Sequence, residues 1–354
     1  MPRLRRELRT QGQAAAILGA TLGLPGTNAL GRLSKAPVIT DANLAGTAGT
    51  IVRPGGRAPW PALVFVNGAT PDGRAHPTVL RLSAALARSG RQVYIPDLPG
   101  IAGGELSPAT LAAAIAYVRN VADTGGGRVG LAGVSIGASL ALLTAADPRL
   151  ADRISVVACI APYTDMANVM LLATTGMYRR NGRFEPYAVP EYLWVGLARS
   201  VTAILPPSPG IEALTAELRA IDPAAADPVA RFSDRSFESL GADAASVLAL
   251  MTNRDPTRFD ELFAALPEHV RSTVSALSPL RAAAGLRAPV EIVTAPRDRY
   301  FPVAESLALA AASPRVRVTV TSLLAHATPR LHPRYLAELG RLDGFFVRSL
   351  VALS

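Results

Sequence analysis

The sequence predicts a doubly wound, mostly parallel α/β sheet with a helical cap inserted between two core strands. Three observations predict it. Short β-branched runs alternate with Ala/Leu-rich helical segments, most of these runs are continuously apolar, and the alternation stops between about Asp165 and Ser278 before resuming. Strands buried on both faces read as unbroken apolar runs, whereas half-exposed strands alternate. Strand–helix alternation builds a parallel sheet covered by helices on both sides.

In chain order, the strand candidates are Gly49–Val52, Ala62–Val66, Gln92–Pro96, Arg128–Gly133, Ser155–Ile160, Val290–Thr294 and Val316–Val320. Helices are expected between them. Ser107 followed by Pro108 reads as an N-cap and first helical position, and Leu111, Ile115 and Val118 then share one face. Pro77–Arg88, Ile136–Ala146, Val303–Ala312 and Pro333–Leu350 read the same way. The gap is helical and proline-broken, with Tyr178, Phe184, Tyr187, Tyr192 and Trp194 clustered in its first part. The expected division is an N-terminal arm over 1–40, a core over 41–165 and 279–354, and a cap over 166–278.

Composition narrows the function classes. Of 354 residues, 49% are hydrophobic, enough for a sizeable core and against general disorder. No apolar run approaches the ~20 residues that a membrane-spanning helix needs. The formal charge is +9, and Lys35 is the only lysine among 36 basic residues. Apart from Arg3, Arg5, Arg6 and Arg9, the arginines are scattered, and no helix-turn-helix, zinc-finger or RNP-like pattern accompanies them. Nucleic acid is therefore not an expected partner. Cys159 is the single cysteine, so no intrachain disulfide forms, and its apolar surroundings read as a buried, inert thiol.

The basic start and short apolar stretch of the first 26 residues resemble an export signal, but Gly19, Gly23 and Glu7 interrupt that pattern. A mobile or peripheral amphipathic arm is the preferred reading, and it leaves peripheral membrane contact open. The expected location is cytoplasmic, with peripheral-membrane or exported forms as alternatives. The oligomeric state is left open.

The stretch "VGLAGVSIGASLALL" carries the chemistry. Ser135 stands between Gly133 and Gly137, after a strand candidate and before a helix candidate. A serine on so sharp a turn presents its hydroxyl clear of both elements, and side chains two residues to either side would collide with them. The following helix points its free first-turn amides towards negative charge beside the hydroxyl. A phosphate-binding loop is the competing reading, but the stretch has no G-x-G-x-x-G, and no G-K-[ST] occurs in the chain.

A serine needs a base to remove its proton. His326, in "TSLLAHATP" after the last strand candidate, is favoured over His332, His76 and His269 by position and chain order. Asp298, in "APRDRYFP" at the carboxyl end of the preceding strand, is the favoured acid, with Asp165 its rival. The oxyanion requires backbone donors. The Ile136 amide is one, and the loop "NGATPDG" supplies the other through Ala69, with Gly68 close behind.

With these residues in place, the sequence resembles the α/β-hydrolase superfamily, over roughly Ile51–Asp165 and Leu280–Leu350. The carriers are "VFVNGATPDG", "VYIPDLPG", "LAGVSIGAS", "APRDRYFP" and "LAHATP". The family commonly has His-Gly where this chain has Asn67-Gly68. Asp97 is expected to be structural, and aspartate- and cysteine-nucleophile members are disfavoured by Ser135. The expected function is a serine esterase with an acyl-enzyme intermediate, acting on a small-molecule ester with an apolar acyl part. Amide, thioester or acyl-transfer chemistry by the same residues is the alternative, as is a non-catalytic ligand receptor. No metal or organic cofactor is expected.

Overall fold

The computed structural model describes residues 2–24, 35–180, 182–222, 228–233 and 240–353. Residues 25–34 of the expected arm and 181, 223–227 and 234–239 of the expected cap lie outside these.

Eight strands form one sheet: β1 (Val38–Leu44), β2 (Thr47–Arg53), β3 (Ala62–Val66), β4 (Gln92–Pro96), β5 (Val129–Val134), β6 (Ile154–Ile160), β9 (Val290–Thr294) and β10 (Val316–Val320). Their spatial order is β1-β2-β4-β3-β5-β6-β9-β10. From β4 to β10 every neighbouring pair is parallel, while β1–β2 and β2–β4 are antiparallel. All five residues of β3 and of β9 are buried; β3 is a continuous apolar run, whereas β9 also buries Thr294 and Glu291, the latter paired with Arg348. Edge strand β1 is absent from the sequence expectation. It is exposed or half-buried throughout, and Thr40, Asp41 and Asn43 interrupt its apolar residues, so no apolar run marks it.

Helices cover both faces. One face carries α3 (Pro108–Thr124) and α4 (Ile136–Ala146), with Tyr117, Leu140 and Leu142 fully buried. Ser107 caps α3 in a reciprocal box with Thr110, and Pro108 is its first residue. The opposite face carries α1 (Pro2–Leu22), α2 (Pro77–Arg88) and α13 (Leu339–Ala352). The final helix expected from Pro333 begins instead as a 3-10 turn over Pro333–Glu338.

Where a mobile or peripheral arm is expected, α1 is a docked helix. Ala14, Ile17, Ala20 and Leu22 are buried in the core that also holds Leu82 and Phe345. The Gln13 amide donates to the Ser89 carbonyl at 2.8 Å, and Arg91 donates to Gln13 at the same distance. The reason lies in the helical spacing of those apolar positions, which forms a face the sheet layer can bury. Among the described residues, no helix is long and apolar enough to cross a membrane.

Between neighbouring strands β6 and β9 runs the helical insertion. It includes α5 (Met166–Thr175), α6 (Tyr192–Thr202), α7 (Pro209–Arg219), α8 (Ala230–Ser233), α9 (Ala242–Met251), α10 (Phe259–Ala264) and α11 (Glu268–Ala276). It also holds a hairpin, β7 (Met177–Arg180) and β8 (Arg183–Pro186), where only helix is expected. The dipeptide Asn181-Gly182 is the sequence signal for such a turn. Within the insertion Trp194 and Phe232 pack together, in an apolar core continuous with that of the sheet, and the Trp194 indole donates to the Met251 carbonyl. The buried Arg199 guanidinium donates to the carbonyls of Leu218, Arg219 and Ile221 around the end of α7. A cation is favoured at a helix C-terminus.

Candidate active site

Ser135 occupies the turn from β5 into α4 with φ 56° and ψ −128°. A non-glycine residue there is strained, and the surroundings hold it in place. Its amide donates to the Ile160 carbonyl on β6, and its carbonyl accepts from the Ala138 amide. The flanking glycines are demanded by space. A Cβ on Gly137 would lie 2.3 Å from the Asn67 carbonyl oxygen, and one on Gly133 would lie 2.5 Å from the Gly137 oxygen. No side chain fits at either position, so the serine hydroxyl is carried on a backbone pressed against the end of β3.

Asn67 and Gly68 follow β3. A Cβ on Gly68 would stand 3.3 Å from the Ser135 Cβ, which places this loop directly against the serine. Asn67, where the superfamily commonly has histidine, is buried and folds its amide back onto the Gly68 carbonyl at 2.9 Å. This bond stiffens the loop. Gly68, Ala69, Ser135, Ile136 and His326 all line one cavity of about 160 Å³. The Ile136 amide opens α4, where first-turn amides have no intrahelical acceptor.

His326 lies in the loop after β10, also at positive φ, 60°. Its Nδ1 is 2.8 Å from Asp298 Oδ1, which also accepts from the amides of Tyr300 (2.9 Å) and Phe301 (3.1 Å). The Asp298 side chain is fully buried and that of His326 is 10% exposed. An ionised carboxylate only accepts hydrogen bonds, so Nδ1 carries the proton and Nε2 is left as the acceptor. Tyr300 and Phe301 flank the imidazole, with centroids at 4.6 and 5.9 Å. The ring is thus fixed by one polar contact and two aromatic ones.

The rival residues have other partners. Asp165 caps α5 by accepting from the Ala167 amide. His332 and His76 are N-caps accepting from Arg334 and Thr78, and His269 is exposed on α11. Asp97 pairs with Arg74 at 3.8 Å. Cys159 is buried, and burial pushes its thiol pKa up. Among the described residues, no three His, Cys, Asp or Glu side chains could hold a metal ion.

The profile of the alpha/beta hydrolase family matches residues 63–339, more than three quarters of the chain. The protein belongs to the alpha/beta hydrolase family. Solved structures sharing its fold include an acylaminoacyl peptidase in complex with Z-Gly-Gly-Phe-chloromethyl ketone, with 14% identity and TM-score 0.51. That match covers 90% of this chain and 42% of the peptidase, so the chain spans less than half of that protein's length. The HSL-homologue EstE7 from a metagenome library matches at 16% identity and TM-score 0.50, covering 98% of this chain and 97% of EstE7. No curated protein matches by sequence.

The insertion supplies part of the cavity wall, through Met166 and Val169 of α5 and Tyr192, Leu193, Leu197 and Ser200 of α6. The aromatic cluster divides accordingly. Tyr192 lines the cavity, whereas Trp194 is buried in the apolar core that the insertion shares with the sheet. Tyr187, given no role by the sequence, donates its hydroxyl to the Asp298 backbone carbonyl. Burial, reinforced by the nearby Asp298 charge, pushes the Tyr187 hydroxyl pKa up, so it stays a donor. Glu305 is likewise unmarked in the sequence. It is buried at the start of α12 (Val303–Ala312), where Oε2 accepts from the Thr164 and Asp165 amides, each at 2.8 Å. It ties the helix between β9 and β10 to the start of the insertion.

Proposed function

We propose that the protein is a serine hydrolase that cleaves carboxylic esters through an acyl-enzyme intermediate. The observation that carries this reading is the Asp298–His326 hydrogen bond beside a serine at positive φ, with imidazole and hydroxyl opening on one cavity. Ser135 Oγ attacks the ester carbonyl carbon while His326 Nε2 takes its proton. Asp298 holds the imidazole in the required tautomer and stabilises its cationic form. The Ile136 amide and the Ala69 amide, with Gly68 beside it, stabilise the oxyanion. His326 then protonates the leaving alkoxide, and the alcohol departs. Water, deprotonated by the same imidazole, attacks the acyl-serine and releases the carboxylic acid.

The substrate reading is an ester with an apolar acyl part. Met166, Val169, Leu193 and Leu197 support it by giving the insertion side of the cavity an apolar wall. Matched butanoyl ester, thioester and anilide substrates test the reaction class. The ester is expected to have the highest kcat/KM; an anilide turned over faster than the ester would overturn the esterase reading.

A further inference from the structure

Beyond Ser135 and His326, four described residues bordering the cavity carry hydroxyls: Tyr163, Tyr192, Ser200 and Tyr300. Two of these are spent inside the protein. Tyr163 donates to the Leu277 carbonyl at 3.0 Å. Ser200 donates to the Gly196 carbonyl at 2.8 Å and accepts from the Leu106 amide at 2.9 Å. The other two are not spent. Among the described residues, neither the Tyr192 nor the Tyr300 hydroxyl has a hydrogen-bond partner.

The backbone makes room for the first of them. Gly104, in the loop after β4, has φ 77°, and a Cβ there would lie 2.9 Å from the Tyr192 hydroxyl. A Cβ on Gly196, one turn along α6 from Tyr192, would lie 3.0 Å from the Gly104 carbonyl oxygen. Two glycines thus bring loop and helix together, with the Tyr192 phenol beside the contact. Tyr300 is held by its ring, which lies 4.6 Å from that of His326, with the Arg299 guanidinium 5.9 Å over it. Burial pushes the Tyr192 hydroxyl pKa up; Arg199 opposes, and Tyr300 and Glu105 reinforce the rise. The phenol therefore stays protonated and able to donate.

Deepening the esterase reading, on which it rests, we propose that Tyr192 and Tyr300 together bind a second, uncharged carbonyl oxygen on the acyl part of the substrate. The preferred substrate is then an ester of an oxo acid, apolar along Met166, Val169, Leu193 and Leu197 and polar at one point. A carbonyl oxygen has two lone pairs and no proton, which matches two phenol donors. A carboxylate does not match. The described residues lining the cavity include no lysine or arginine, and a buried charge without a partner is far costlier than a neutral group. A plain alkyl chain leaves both hydroxyls unpaired once water is displaced. Sites built to hydrogen-bond discriminate against partners of that kind.

The test measures kcat/KM for ethyl 3-, 4- and 5-oxohexanoate, each divided by the value for ethyl hexanoate. The ratios are compared between the wild-type protein, Tyr192→Phe and Tyr300→Phe. Phenylalanine keeps both rings, including the one against His326, so a change in packing falls on all four esters and cancels in the ratio. The intrinsic reactivity of the oxo esters cancels in the comparison as well. For at least one oxo ester, each variant is expected to lower the ratio by about two- to tenfold, the net worth of one hydrogen bond. Ratios lowered by less than about twofold for all three oxo esters, in either variant, overturn the inference. Cleavage of ethyl hexanoate and fluorophosphonate labelling of Ser135 with unmoved ratios overturn this assignment alone. Absence of both cleavage and label in the wild-type protein removes the esterase reading as well.

Discussion

The two halves of the site are held in different ways. On the sheet side, position is set by the backbone. Ser135 and His326 sit at positive φ, and Gly133 and Gly137 leave no room for a Cβ. On the insertion side, position is set by side chains. Trp194 against Phe232 and Arg199 around the end of α7 consolidate the insertion itself. Separate bonds then tie it to the sheet: the Leu106 amide to Ser200 Oγ, Tyr187 to the Asp298 carbonyl, and the Thr164 and Asp165 amides to Glu305. Backbone constraints permit little adjustment, whereas side-chain ties can be weakened one at a time.

Substitutions on the two sides are therefore expected to differ in size and kind. The largest effect falls on Ser135. Ser135→Gly is expected to lower kcat/KM by on the order of 10⁵-fold, because the proposed nucleophile is lost. The same variant is expected to raise unfolding stability by about 1 kcal/mol, since glycine tolerates the positive φ that strains serine. Ester hydrolysis and urea denaturation on one preparation read both. An active Ser135→Gly enzyme would break the sheet-side account.

Next in size is Gly137→Ala. Its Cβ would lie 2.3 and 2.4 Å from the Asn67 and Val66 carbonyl oxygens, both backbone atoms of β3 and its loop. A clash against backbone in a packed interior is expected to cost more than about 4 kcal/mol, or prevent folding. Soluble yield and the urea midpoint check it; a change below about 1 kcal/mol would show that β3 and α4 are more compliant than the geometry implies.

Insertion-side changes should be milder. Tyr187→Phe removes one hydrogen bond to the Asp298 carbonyl, and a loss of about 0.5–1.5 kcal/mol corresponds to a fall in kcat of roughly two- to tenfold. KM for a small ester should hardly move, because Tyr187 does not border the cavity. A pure KM effect would indicate that the tie shapes the pocket and leaves the acid in place.

The smallest effect is a pH slope. Burial raises the Glu305 carboxyl above its ordinary value of 4.5, with the bonds from Thr164, Asp165 and Asn168 opposing. A native-state pKa above the unfolded one means that the native state holds the extra proton. Stability is then greatest below 4.5 and falls as pH climbs towards the raised value. Glu305→Gln keeps an acceptor for the two amides and is expected to flatten this part of the stability profile. Urea midpoints from about pH 4 to pH 7 measure it. An identical slope in the variant would assign the dependence to another group.

The same contrast explains what was legible in the sequence. A backbone constraint leaves a mark in residue type, so Gly133, Ser135 and Gly137 stand out, and Asp298 and His326 follow from strand order. The parallel strands were legible as apolar runs; polar β1 was not. A side-chain tie leaves no such mark. Tyr187 and Glu305 sit in stretches whose composition resembles any hairpin end or helix start, and their partners lie 111 and 141 residues away. The docking of α1 was obscured for a related reason: its arginines suggested a solvated or membrane-facing arm, while its buried face is spread over Ala14, Ile17 and Ala20. The β7–β8 hairpin went unread because its two strands are only four residues each inside a helical pattern.

The central claim is that Ser135 forms an acyl intermediate with the help of His326. Its most direct measurement is the mass of the protein after rapid acid quench during turnover of a p-nitrophenyl ester, with peptide mapping of the adduct. The expected result is one acyl group on the Ser135 peptide, absent in Ser135→Ala and accumulating far more slowly in His326→Ala. Turnover with no adduct on that peptide, or an adduct that persists when Ser135 is replaced, would contradict the account.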